Sequence, residues 1–165
     1  MTNYPMKKIK FLSLFALMFF GSFKGQNFCA RLFSRQSEIV STLLILEAGG
    51  EGKIGMEAVL NVLNNRAKGD VERWEREALR KRQFSAFNRH TIHGLPLYVL
   101  INKAKRHEKW DLATQIVFDC SRGELKDFTH GSDHYYATWV KRIPYWAKSM
   151  DKTIKIGNHQ FLKSN

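Results

Sequence analysis

Between Ile39 and Gly52 the chain passes from an apolar run into a glycine-rich turn, with one carboxylate at the junction. Ile39, Val40, Leu43, Leu44 and Glu47 recur at the spacing of one helical face. A segment so patterned must be a helix with that face buried, and Ala48-Gly49-Gly50-Glu51-Gly52 must end it. Glu47 therefore lies on the core-facing side, in the helix's last turn. A carboxylate held against apolar neighbours resists ionising. That protonated state is what a general acid needs near neutral pH. The alternative for a Glu at a helix end is to reach past the apolar surface into water.

The pattern predicts a first helix over Ser37–Ala48, with Ser37 as its N-cap, and a second over Lys53–Ala67 that stops near Gly69. Val59, Val62, Leu63 and Arg66 share the inward face of the second helix. Glu57 falls with Asn61 and Asn64 on its solvated side. A charged segment, Val71 to Arg82, follows Asp70, and helical spacing returns over Pro96–His107 and Trp110–Cys120. Past Gly123 the texture changes. His134–Val140, Thr153–Ile156 and His159–Leu162 alternate as strands, with Gly157-Asn158 a tight turn between the last two. The expected class is α+β: a mainly helical body with a small antiparallel β-sheet near the C-terminus.

At 165 residues and 44% hydrophobic, the chain is long enough for one domain with a real core. Its formal net charge of +12 favours polyanionic partners: nucleic acid, anionic lipid or an acidic envelope. The N-terminus narrows these. Lys7, Lys8 and Lys10 precede an apolar run from Phe11 to Phe20, the pattern of a secretory signal and short for a membrane span. No clean small-x-small cleavage site follows, so a retained anchor with N-terminal membrane contact stays open. The expected division is residues 1–25 as signal peptide or membrane anchor, 26–36 as basic linker and 37–165 as catalytic domain. Cys29 and Cys120 form neither a CxxC pair nor a zinc spacing. In an oxidising compartment they could be joined.

Four blocks carry a specific resemblance. The first is Glu47-Ala48-Gly49-Gly50-Glu51-Gly52 with Gly55-Met56-Glu57-Ala58-Val59 and Val62-Leu63-Asn64-Asn65-Arg66. The second is Gln83-Phe84-Ser85. The third is Asp127-Phe128-Thr129-His130-Gly131-Ser132-Asp133-His134-Tyr135-Tyr136, with Pro144-Tyr145-Trp146-Ala147 after it. The last is Ile156-Gly157-Asn158-His159-Gln160-Phe161. In this order, from about Leu43 to Leu162, they resemble the SleB/CwlJ-like cell wall hydrolase family. The resemblance implies a lysozyme-like fold and cleavage of the bond between N-acetylmuramic acid and N-acetylglucosamine. It also implies a lytic transglycosylase with a single catalytic Glu, which falls on Glu47. The family often has Arg where Gly49 stands, so a cation near the site is missing here.

Glu51 matches the family's second Glu, either ordering the turn or contacting substrate. Gln83 and Ser85 could hydrogen-bond sugar groups or simply shape a loop. Tyr135, Tyr136 and Trp146 could form a sugar platform. His159 could line the cleft or order the end of the sheet. These seven, Glu51, Gln83, Ser85, Tyr135, Tyr136, Trp146 and His159, are the expected substrate-binding set. His130, Asp133, His134 and His159 invite a zinc reading, but His-Gly-Ser-Asp-His lacks the HExxH arrangement, so no metal or other cofactor is expected. No nucleic-acid-binding motif accompanies the charge, so nucleic acid is not expected as a partner. The expected partners are peptidoglycan glycan strands and anionic envelope polymers, met by an exported protein in the periplasm or cell envelope. The competing readings are a hydrolytic muramidase using Glu51 as second carboxylate and a non-catalytic basic envelope-binding protein.

Overall fold

The computed structural model describes residues 23–165, with side chains described from Ser34 onward. The chain divides after Phe33, and residues 34–165 form the unit discussed below. Among the described residues six α-helices precede the sheet: α1 (Phe23–Ala48), α2 (Gly52–Ala67), α3 (Trp74–Ala78), α4 (Asn88–Thr91), α5 (Leu97–Lys105) and α6 (Trp110–Ser121). Three strands follow: β1 (His134–Ala137), β2 (Asp151–Ile156) and β3 (His159–Lys163). The α+β class expected from the patterning holds.

α1 is longer than its apolar face. Residues 26–36, expected as a linker, belong to this helix, which is already helical at Phe23 rather than starting at Ser37. No Gly or Pro occurs between Gln26 and Gln36, and polarity alone does not break a helix. The segment expected to direct export lies almost wholly outside the described residues, as does the side chain of Cys29. Among the described residues no helix is long and apolar enough to cross a membrane.

The core forms where the inner faces of α1 and α2 meet: Ile39, Leu43 and Leu44 with Met56, Val59 and Leu63, all fully buried. Each such side chain contributes roughly 1.5–3 kcal/mol by leaving water. α2 packs against α3 and α6 as well, so little of its surface is left for solvent. That is why Asn61, expected on a solvated face, is buried and donates to the Lys126 carbonyl at 3.4 Å. Asn64 accepts the indole N–H of buried Trp74 at 3.1 Å. Glu57 is half-buried and paired with Lys53 at 3.6 Å. Cys120 is buried at the end of α6, and loss of solvation pushes its thiol up to about 11.

The sheet is antiparallel with order β1-β3-β2. Tyr135 stands opposite Phe161, and Ala137 opposite His159. Gly157 turns the β2–β3 hairpin at φ +52°, a conformation a side chain resists. β1 stops at Ala137, three residues before the expected Val140. Thr138 N–H donates to the Asn158 carbonyl at 2.7 Å as a last rung, and Val140 N–H then folds back to the Ala137 carbonyl at 3.2 Å, turning the chain away from the ladder.

Candidate active site

The last turn of α1 delivers Glu47 to a cleft of about 480 Å³ between the helical body and the sheet. Its carboxylate is held at both oxygens. Oε1 accepts from the Ser85 hydroxyl at 2.9 Å and from the Ala86 backbone N–H at 2.6 Å; Oε2 accepts from the Tyr135 hydroxyl at 2.9 Å. The expectation of apolar surroundings is corrected here. The helical face of Glu47 is apolar, but its side chain extends past that face to donors brought from a loop and a strand far away in sequence.

Each donor has a structural reason for its place. Ser85 and Ala86 sit on a 3-10 turn, Ser85–Phe87, bracketed by buried Phe84 and Phe87. Arg66 on α2 lies over the Phe84 ring at 4.7 Å and donates to the carbonyls of Gln83 and Asp133. One guanidinium thereby ties the Ser85 loop to the start of β1. Tyr135 packs its ring among Phe84, Phe161 and His159, the last at 5.0 Å in an edge-on arrangement. Burial, then the charge of Glu47, holds its phenol well above the usual tyrosine range. The hydroxyl therefore stays protonated and remains a donor to Glu47.

Glu47 is the only carboxylate lining the cleft among the described residues. Of the expected substrate-binding set, Gln83, Ser85, Tyr135, Tyr136 and His159 line it. Glu51 and Trp146 do not. Glu51 accepts the Asn158 N–H at 3.1 Å and pairs with His159 Nδ1 at 3.0 Å, so it fastens the β2–β3 turn to the end of α1. Two glycines make room for it. A Cβ on Gly55 would stand 2.5 Å from Glu51 Cβ, and one on Gly157 would stand 2.7 Å from its Oε2. Trp146 packs on His134 at 5.4 Å and Tyr136 at 6.4 Å, behind the cleft wall.

The wall also contains Arg66, expected on the inward face of α2, and four residues no motif marked as part of a site: Leu46, Arg82, Asn88 and Trp139. For Trp139 a signal was present. It closely follows Tyr135, Tyr136 and Ala137 of β1, and all four reach the cleft. Arg82 and Asn88 carried none, because Arg82 lies on a turn and Asn88 opens a helix too short to show a repeating pattern.

The His-rich stretch is loop architecture. Asp127 accepts from Thr129 N–H at 2.7 Å, Thr129 Oγ1 at 2.6 Å, Gly131 N–H at 2.8 Å and Asn65 Nδ2 at 3.0 Å. Asp133 accepts from Ser164 and pairs with His134 Nδ1 at 2.8 Å. His130 is exposed in a left-handed turn position, φ +59°. Among the described residues no group of three or more His, Cys, Asp or Glu side chains is arranged to hold a metal ion. At Gly49, where a cation seemed missing, Lys109 donates to the backbone carbonyl at 2.9 Å. The His107 ring stands 3.4 Å from where a Cβ on Gly49 would be.

A family model described as Cell Wall Hydrolase matches residues 50–162, opening just past Glu47. Among solved structures, the chain is similar to the catalytic domain of the germination-specific lytic transglycosylase SleB from Bacillus anthracis. That likeness has a TM-score of 0.55 at 22% identity, over 78% of this chain and 93% of the other. The catalytic domain of the Bacillus cereus SleB protein is similar to the same degree: TM-score 0.55, 22% identity, 79% of this chain and 91% of that one. At such identity the likeness establishes the fold. A search of curated proteins finds no match.

Proposed function

The chain belongs to the cell wall hydrolase family, and we propose from that premise that it is a peptidoglycan lytic transglycosylase in which Glu47 alone serves as acid and then base. The observation that carries the proposal is the lone carboxylate of the cleft, fixed by three donors and facing open space. Paired-carboxylate glycosidases need a second acid to activate water or to attack the sugar. Here the nearest candidate in sequence, Glu51, is engaged by Asn158 and His159. The hydrolytic reading is therefore the less supported one.

In the proposed reaction, protonated Glu47 gives its proton to the oxygen of the bond between N-acetylmuramic acid and N-acetylglucosamine. The C–O bond breaks with positive charge developing at the anomeric carbon. Glu47, now a carboxylate, takes the proton of the muramic 6-hydroxyl as that oxygen closes on the same carbon. The residue ends protonated, as it began, and the product carries a 1,6-anhydro ring. An intramolecular nucleophile gains a high effective concentration and needs no bound water. Tyr135 and Ser85 hold the carboxylate in one orientation through both steps. Gln83, Tyr136 and His159 offer polar groups and ring faces to the sugars. The substrate is the glycan strand of peptidoglycan, met after export directed by the N-terminal segment.

Glu47→Gln keeps the shape but cannot cycle a proton, and should lower wall cleavage by roughly a hundred- to ten-thousandfold. A zymogram with purified cell walls reads this, and an unchanged melting temperature shows the fold intact. Activity within a few-fold of wild type would remove Glu47 from the mechanism. Mass spectrometry of the digest, before and after borohydride, distinguishes the products. Non-reducible 1,6-anhydro-muramic ends support the proposal, whereas reducible muramic ends would make the enzyme a hydrolase.

A further inference from the structure

The segment between β1 and β2 leaves the cleft wall at Trp139 and does not return to the body until Ala147. Its base is anchored at both ends. Thr138 is bonded to Asn158, Ala147 is buried, and Trp146 lies on His134 and Tyr136. Between the anchors it presents large apolar side chains to solvent: Trp139 is 68% exposed, Val140 40%, Ile143 47% and Tyr145 89%. Lys141, Arg142 and Lys148 are exposed among them, and no acidic residue occurs from His134 to Met150. Exposed apolar groups gathered on one loop mark a contact surface.

We propose that this loop docks on an anionic lipid surface, with Trp139, Val140, Ile143 and Tyr145 entering the headgroup region and Lys141, Arg142 and Lys148 pairing with lipid phosphates. Aromatic rings that are apolar on one side and polar at an edge favour the membrane–water interface. Clustered Lys and Arg beside them are drawn to anionic headgroups. The aliphatic members decide between partners. Val140 and Ile143 have no flat face to offer a sugar, but they gain by entering hydrocarbon. Docked in this way, the loop sets the rim of the cleft against the membrane, where it reaches glycan lying close to the lipid. The inference is independent of the chemistry assigned to Glu47.

The test uses the full chain with vesicles of phosphatidylcholine alone or mixed equally with phosphatidylglycerol, each carrying a doxyl quencher on the acyl chain. The readout is tryptophan emission, because the N-terminal segment could bring the chain to vesicles without the loop. Wild type should be quenched on the mixed vesicles and not on phosphatidylcholine. Trp139→Phe with Trp146→Phe should abolish the quenching, leaving Trp74 and Trp110 unaffected. Lys141→Glu with Arg142→Glu should abolish it too, with circular dichroism and melting temperature unchanged, since both side chains are exposed. Chain that sediments with vesicles unquenched, quenching that survives either double variant, or no association at all would overturn the proposal. So would a Lys141→Glu/Arg142→Glu chain that loses only its adsorption to lipid-free cell walls, because the loop would then bind glycan.

Discussion

Tyr135 touches Glu47 with a single atom and the core with the rest of its ring. Tyr135→Phe should therefore separate the two roles. Packing on Phe84, Phe161 and His159 survives, while the hydroxyl's bond to Oε2 is lost. A hydrogen bond to a charged group contributes about 1.5–3 kcal/mol. kcat on soluble glycan should fall roughly ten- to a hundredfold, and the lost bond should lower the melting temperature by only several degrees with unfolding still cooperative. A full-speed variant would show that Ser85 and Ala86 suffice to orient the carboxylate. Gly157 is the opposite case, a residue that acts through the space it leaves. At φ +52°, with Glu51 Oε2 only 2.7 Å from its would-be Cβ, Gly157→Ala both strains the turn and displaces Glu51 from His159. Denaturant melts should show a loss of about 1–3 kcal/mol. Cleavage should fall with it, because His159 lines the cleft. Unchanged stability would mean that the turn relaxes and the Glu51 contact is dispensable.

Between α6 and β1 the connection is held by carboxylates rather than by apolar packing. Burial pushes Asp127 up, but hydrogen bonds from Thr129, Asn65 and Gly131 outweigh it and leave its carboxyl below the ordinary 3.8. Asp133 is likewise lowered, its burial outweighed by Ser164 and His134. Both groups titrate lower in the folded chain than in the unfolded one. Their contribution is therefore fully present above about pH 4 and is lost as pH falls through their folded values. Asp127→Asn removes one titrating group from this latch. Melting temperature followed from pH 7 to pH 2 should start lower than wild type and fall less steeply on the acid side. An acid limb parallel to wild type would assign the latch to Asp133 alone. The boundaries of these elements were only partly legible in sequence. Apolar periodicity marked α2, α5, α6 and the β2–β3 hairpin to within a few residues. It does not mark the start of α1, where polar and basic residues interrupt Phe28, Leu32 and Phe33, nor the end of β1, which is set where Val140 N–H turns back to the Ala137 carbonyl.

At the scale of the whole molecule the excess of cations is spread over the chain, with 27 Lys and Arg against 15 Asp and Glu. The cleft follows this bias, with Arg66 and Arg82 beside the lone Glu47. Raising salt from about 0.1 M to about 1 M shortens the screening length from ~10 Å to ~3 Å. Adsorption to purified, lipid-free walls should weaken severalfold over that range, as sedimentation would show. A salt-independent partition would place recognition in the cleft contacts rather than in the charge.

The α+β class and the helix that ends in Glu47 were determined by the sequence alone, whereas Gln83, Ser85, Tyr135, Tyr136 and His159 are marked only by resemblance to a family and are brought to one cleft by the tertiary fold. Local periodicity and glycine placement specify helices, turns and strands because those depend on neighbours a few residues away. What surrounds Glu47 was decided only by the tertiary structure. Its donors come from residues 85, 86 and 135, and no pattern in residues 39–52 could announce them. The division of labour between the two glutamates belongs to the same level. Glu47 and Glu51 sit four residues apart, yet one faces the cleft and the other ties down a hairpin, because the turn at Gly49–Glu51 points them at different parts of the fold.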